Sequence, residues 1–239
     1  LAACVGMAPR EAAAQTINWK LESFQAPGGY MWDGYLVQFV EALKQRTGGR
    51  FNITLYPVGS IAKAEDITKA VGQGVLEAAH GSAATDAGAI PIAYVLAGLP
   101  FSFTAPEQQT EFFFKYQDGA AFKMVNEGFG KQNIQLISLL SIPSPLVMLM
   151  KAPITKVGDF QGRKVRAAPA YADVVKALGA QQVSLALNEV YNALQTGVIE
   201  GTLLTTSNLE TNKLKEVTKY VVEAPTVLAI SQGDIRVLE

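Results

Sequence analysis

Among 239 residues there is one histidine, His80, and one cysteine, Cys4, so His/Cys metal clusters and Cys–His nucleophilic pairs have nothing to be built from. No HExxH, GxSxG or phosphate-loop motif occurs. His80 alone could act as a general base, although a single histidine is more often a structural or ligand-contacting group. Carboxylates such as Glu41, Glu65 and Glu107 fall on polar faces of predicted helices and read as solvated surface. The concentrated chemistry is cationic: "DFQGRKVRAAP", residues 159 to 169, sets Arg163, Lys164 and Arg166 within four positions. Strand alternation points Arg163, Val165 and Ala167 one way and Lys164 and Arg166 the other. Arg163 and Lys164 open the strand, where solvent exposure is the simple account. Arg166 closes it, just before a helix starting near Pro169, where a guanidinium can reach a cleft and hold a carboxylate with two parallel hydrogen bonds. An internal salt bridge is the competing account, and spacing does not choose between them.

The elements that must position this strand alternate along the chain. "TINWKLESF" reads as a strand and "GGYMWDGYLVQFVEALKQRTGG" as a helix with Trp32, Tyr35 and Phe39 at core spacing. "RFNITLYPVGS", "VLEAAHGS" and "IQLISLLSI" read as strands, with helices in "KAEDITKAVGQG" and "PEQQTEFFFKYQDGAAFKMVNEGFG". The triplet Phe112, Phe113 and Phe114 cannot share one helix face, so at least one ring is exposed or meets another surface. After "SIPSP" the pattern resumes with strands in "GRKVRAA", "QVSLAL" and "VIEGTLL" and helices in "PAYADVVKALGA" and "NEVYNALQTG". Such alternation implies an α/β protein with largely parallel pairing.

One internal echo divides it in two. "AVGQGVLEAAHGS" from Ala70 and "ALQTGVIEGTLLT" from Ala193 share a helix end, a glycine suited to the left-handed C-cap, and a strand opening on Val and then Glu. Two lobes of similar construction follow, with boundaries expected at 16–142, 143–226 and a strand 227–239 crossing back to the first lobe. His80 to Ser82 and Leu203 to Thr205 then stand at equivalent strand ends. Ligands of open α/β sheets sit beyond such carboxyl ends, so both loops are expected to face a shared cleft.

Composition bounds the partners. With 20 basic and 21 acidic residues the formal net charge is -1, which gives no broad footprint for nucleic acid or anionic membrane. No apolar run is long enough to span a membrane. "LAACVGMAPREAAAQT" reads as the remnant of a secretory signal over residues 1–15, with Ala12-Ala13-Ala14 at an A-x-A-like cleavage site. "LAAC" also fits a lipobox that would lipidate Cys4, the less favoured reading.

In "FVEALKQRTGGRFNITLYPVGS", "LAGLPFSF", "DFQGRKVRA" and "ALGAQQVSLALNEVYNALQTGVIEG", in that order, the chain resembles the DctP-like periplasmic solute-binding receptors of tripartite ATP-independent periplasmic (TRAP) transporters, over nearly all of residues 16 to 235. The resemblance implies a two-lobed periplasmic-binding-protein-like α/β fold with a mixed sheet in each lobe, a hinge of crossing strands, and no enzymatic activity or cofactor. It implies capture of a small organic acid and delivery to the TRAP membrane permease. In the family, the arginine ending the strand after the F-x-G-(Lys/Arg) turn grips the substrate carboxylate, and Arg166 stands there. Gln25 and His80 of the first lobe, and Ser144, Thr205 and Asn208 of the second, are candidate polar partners. Ser141, Thr202 and Thr206 are further candidates. A mono- or dicarboxylate is expected, 2-oxo acids among them, and a sialic-acid-type site is not. Family members continue beyond "SQGDIRVLE", so the chain is expected to be truncated at its C-terminus. The competing functions are a small enzyme using His80 as acid/base and a ligand-binding sensor domain.

Overall fold

The computed structural model describes residues 15–97, 103, 105–141, 146–223 and 232–239. Cys4 and the signal remnant, most of "LAGLPFSF", Ser144, both expected lobe boundaries and the linking parts of the hinge lie outside them.

Two five-stranded sheets carry the fold. The first is built from β1 (Ile17–Ser23), β2 (Phe51–Tyr56), β3 (Ala78–Ser82), β4 (Ile134–Ser141) and, from the far end of the chain, β10 (Gln232–Leu238), in the order β2-β1-β3-β10-β4. The second is built from β5 (Leu146–Met150), β6 (Lys164–Arg166), β7 (Gln181–Val183), β8 (Gly201–Thr205) and β9 (Tyr220–Val222), in the order β7-β6-β8-β5-β9. Each sheet is parallel on one side and antiparallel on the other: β1 pairs in parallel with β2 and β3, and β6 with β7 and β8. β10 runs antiparallel to β3 and β4, and β5 antiparallel to β8 and β9. The expectation of largely parallel pairing therefore needs correction. Alternation of strand and helix reports only βαβ units, whereas β10 and β5 join their sheets from outside such units.

The helices cover these sheets. A π-helical turn at Tyr30–Leu36 leads into α1 (Val37–Arg46). Trp32 is buried there with Leu21, Leu36, Ala78, Ile235 and Val237, so its ring belongs to the core. α2 (Ile67–Gly72) packs against β3, α3 (Ala83–Asp86) follows directly from that strand, and α4 (Ala93–Ala97) packs against α3. α5 (Pro106–Thr110) is separated from α6 (Ala120–Gly130) by a turn in which Gln117 and Asp118 take left-handed φ. Between them Phe113 is fully buried while Phe114 is exposed, as three consecutive rings on a helix require. α7 (Ala172–Ala177), α8 (Val190–Thr196) and α9 (Asn208–Thr211) accompany the second sheet.

The internal echo is structural. Gly74 and Gly197 sit past the ends of α2 and α8 with φ of +72° and +78°, which a side chain would strain. The Leu76 N–H then donates back to the Ala70 carbonyl at 3.3 Å, and the Ile199 N–H to the Ala193 carbonyl at 3.2 Å. The glutamate that follows does the same work in each half. Glu77 accepts the Lys20 N–H at 2.8 Å, and Glu200 accepts the Lys164 N–H at 3.2 Å, so each carboxylate ties its strand to the neighbour carrying the next functional positions. Arg163 adds an ion pair to Glu200 at 3.1 Å and donates from Nε to the Asp159 carbonyl. Its expected role as a solvated entrance to the strand is thus corrected, and Lys164 alone is exposed.

β10 brings a buried charge into the first sheet. Arg236 is fully buried and donates from Nε and Nη2 to both Asp234 oxygens, at 2.6 and 2.5 Å. Its Nη1 reaches Asp86 Oδ2 of α3 at 2.5 Å and Thr68 Oγ1 of α2 at 2.6 Å, and the guanidinium carbon lies 5.2 Å from the centre of the Phe129 ring. Burial opposes this charge, but the Asp234 and Asp86 carboxylates outweigh it and hold the pKa above its ordinary value. Gly81 passes so close that a Cβ would collide with the guanidinium. Removing the cation strands two buried carboxylates. Arg236→Met should therefore lower unfolding free energy by about 3–5 kcal/mol in urea titrations, and a loss no greater than that of an exposed arginine would contradict the network.

Candidate functional site

Where the strand ends of both sheets meet, a cavity of about 410 Å³ opens, a size suited to a small organic molecule. From the first sheet it takes Phe24 and Gln25 after β1, Ser82 at the end of β3, and Thr85 of α3. From the second it takes Arg166 at the end of β6, Leu203 to Thr205 at the end of β8, and Asn208 of α9. Tyr171, which sequence reasoning did not single out, also lines it and donates its hydroxyl to the Ala97 carbonyl at 2.5 Å. That bond joins the turn after β6 to the end of α4, and so links the material around the two sheets at the cavity wall. The signal for it was slight: one tyrosine two residues after Pro169.

Arg166 is the electrostatic centre. In β6 it pairs with Thr202 of β8 and Val183 of β7, and it is 7% exposed. Nε donates to the Leu185 carbonyl at 3.0 Å, and among the described residues no carboxylate forms an ion pair with the guanidinium. The internal salt bridge is thus absent there. Burial lowers the pKa to about 10, and the group remains a cation at neutral pH. The echo identifies its counterpart. Glu22 occupies in β1 the register position that Arg166 occupies in β6, opposite Ala79 as Arg166 is opposite Thr202. Glu22 is fully buried and accepts the N–H groups of Ser60, Ile61 and Ala62, at 2.9, 3.1 and 2.9 Å. Both residues anchor the loop that follows the outer strand of their sheet. Glu22 spends its acceptors on that loop, whereas Arg166 uses one donor and keeps the rest of its fork for the cavity.

Of the other candidates, Gln25, Thr205 and Asn208 line the cavity with Arg166. The Gln25 N–H donates to Ser23 Oγ at 3.0 Å and its carbonyl accepts the Val58 N–H at 3.3 Å, which fixes the backbone beneath its side chain. Thr205 donates from its N–H and hydroxyl to Asn208 Oδ1 at 3.2 and 2.8 Å, and Asn208 Nδ2 donates to Asn212 Oδ1 at 2.7 Å. Thr202 is buried with its hydroxyl unpartnered and does not line the cavity.

His80 lies behind the wall. It is fully buried, its Nδ1 is 2.8 Å from Ser23 Oγ, its ring is 4.8 Å from that of Phe24, and Nε2 has no partner. It was expected to contact ligand directly, but its side chain does not reach the cavity wall. It holds Ser23, which receives the Gln25 N–H and so steadies two wall residues. Burial, reinforced by the Arg236 cation, lowers its pKa to about 3, so the imidazole is neutral and poorly placed for acid/base work. Glu65, read from sequence as solvated surface, lies on the rim of the cavity, as does Glu189.

The family model for bacterial extracellular solute-binding protein, family 7 (DctP) matches residues 23–231. This chain belongs to that family. The DctP-like family comprises the non-enzymatic, periplasmic solute-binding receptors of TRAP transporters. The ectoine/5-hydroxyectoine-binding periplasmic protein UehA of Ruegeria pomeroyi is 28% identical over 214 residues, 89% of this chain and 61% of UehA. The C4-dicarboxylate-binding periplasmic protein DctP of Rhodobacter capsulatus is 28% identical over 211 residues, 87% of this chain and 62% of that protein. This DctP-family chain thus spans about three-fifths of the length of these relatives. In structure it resembles DctP6 of Bordetella pertussis, an extracytoplasmic solute receptor binding pyroglutamic acid, with a TM-score of 0.81 at 25% identity over 92% of this chain and 70% of DctP6.

The buried imidazole makes stability pH-dependent. An unfolded histidine titrates near 6.5 and the folded one near 3, so the unfolded state takes the proton first. His80 therefore destabilises the fold progressively as pH falls below about 6.5, until the folded form also protonates near 3. Urea midpoints should decline between pH 7 and 5, where most carboxylates stay ionised, and His80→Gln should flatten the decline. A wild-type midpoint unchanged across that window would refute the buried neutral imidazole.

Proposed function

We propose that this chain is the ligand-capturing part of an extracytoplasmic TRAP receptor that closes on a small organic acid and delivers it to the membrane permease. The observation that carries this reading is the buried guanidinium of Arg166, which faces the cavity with no carboxylate paired to it among the described residues. A desolvated cation in such a place is stabilised by a ligand carboxylate, which can take two parallel hydrogen bonds from the guanidinium fork. Gln25, Thr205 and Asn208 supply polar contacts from both sides, and Phe24, Leu203 and Leu204 cover an apolar body. Family membership supports the transport role, the periplasmic location and the permease partner. Among the described residues no helix is long and apolar enough to cross a membrane.

Binding would proceed as a shift between open and closed arrangements of the two halves. The ligand favours the closed form because that form surrounds its carboxylate and excludes water, and the ion pair strengthens as the local dielectric falls. Tyr171, joined to Ala97 across the cavity wall, stands where such closure would be sensed.

A thermal-shift screen of small carboxylates should find at least one that raises the unfolding temperature, since a ligand at a hundred times its Kd stabilises by about 2.7 kcal/mol. Arg166→Ala should then weaken that ligand by about a hundredfold or more in calorimetric titration, because it removes one member of a buried, hydrogen-bonded charge pair. Affinity that survived the substitution would overturn the assignment.

A further inference from the structure

Among the described residues the cavity wall carries three charged side chains, Arg166, Glu65 and Glu189, a formal balance of one cation against two carboxylates. The two acids belong to opposite halves and stand in nearly the same place in each. Glu65 lies just ahead of α2 and Glu189 just ahead of α8, the two helices of the internal echo. Both are exposed, at the mouth, whereas Arg166 is buried at the strand end. Glu189 Oε2 accepts the Ala186 N–H at 3.0 Å, which orients the carboxylate while leaving its second oxygen available. Glu65 has no hydrogen bond or ion pair among the described residues.

We propose that this site selects a zwitterion: a compact monocarboxylate whose acid group meets Arg166 and whose cationic nitrogen is drawn toward Glu65 and Glu189. The inference rests on the Arg166 reading and narrows it. A second carboxylate on the ligand would have no cation of the wall to meet and two like charges to approach, a repulsive selection against dicarboxylates. A cationic nitrogen on the same small skeleton turns both glutamates from repulsive to attractive. Their exposure keeps each contribution modest and sensitive to salt, so the acids tune specificity while Arg166 supplies most of the affinity. The other polar side chains of the wall, Gln25, Ser82, Thr85, Ser184, Thr205 and Asn208 among them, carry no formal charge.

Four ligands of similar size separate the charge states: L-proline, whose ring nitrogen is cationic; L-pyroglutamate, whose ring N–H is neutral; cyclopentanecarboxylate, which has no nitrogen; and succinate, a dianion. Calorimetric titration of the wild-type protein at low salt should rank them in that order, with proline favoured over cyclopentanecarboxylate by about fivefold or more. The preference should shrink as sodium chloride is raised. In the double variant Glu65→Gln/Glu189→Gln the affinities for proline and cyclopentanecarboxylate should converge and that for succinate should rise. If cyclopentanecarboxylate, pyroglutamate or succinate binds the wild type at least as tightly as proline, or if the double variant keeps the full proline preference, the zwitterion inference is overturned while the carboxylate site stands. If none of the four binds, or if binding persists undiminished in Arg166→Ala, the Arg166 reading itself fails.

Discussion

A guanidinium removed from water must be compensated, and the two buried arginines among the described residues meet that demand in opposite ways. Arg236 is enclosed by Asp234, Asp86 and Thr68, and its compensation is complete within the protein. It locks β10 to α2 and α3, and so completes the sheet from which one side of the cavity is hung. Among the described residues Arg166 finds a single acceptor, the Leu185 carbonyl, and the rest of its guanidinium is left to the cavity. Desolvation of several kcal/mol per ion makes the first arrangement a structural constraint and leaves in the second the unmet demand on which the proposed carboxylate site rests.

The repeated construction of the two sheets explains how such different outcomes arise from one plan. Glu77 and Glu200 tie equivalent strands together, which sets the register so that Glu22 and Arg166 fall at equivalent points. On the first side the buried charge is an acid fully met by three N–H groups of the next loop. On the second it is a base with a planar fork, too many donors for one carbonyl. At one register position an acceptor that the next loop meets in full is thus matched by a multiple donor that the next loop meets only once.

Much of this was legible from residue order. The echo of Ala70 and Ala193, the strand-end position of Arg166 and the convergence of Ser82 with Thr205 all follow from local periodicity and turn chemistry, and the structure shows each. The place of His80 behind the wall is not legible in sequence, because it depends on the β1–β3 register, which sets it opposite Ser23 with its ring turned into the packing. Arg163 was read as solvated because its partner, Glu200, is brought to it by strand pairing rather than by sequence proximity. Glu65 reads as solvated surface and is exposed just ahead of α2, and only the approach of the second sheet makes it part of a cavity wall.

The sequence by itself determined an α/β chain of two similar halves with few functional cations, because helix ends, glycine caps and strand alternation are short-range properties. Which charges are compensated internally and which are left facing a cavity was decided by the tertiary structure alone. Compensation depends on what lies within hydrogen-bond reach after folding. Arg236 finds its carboxylates at sequence separations as small as two and as large as 150, and Arg166 finds none at any separation among the described residues.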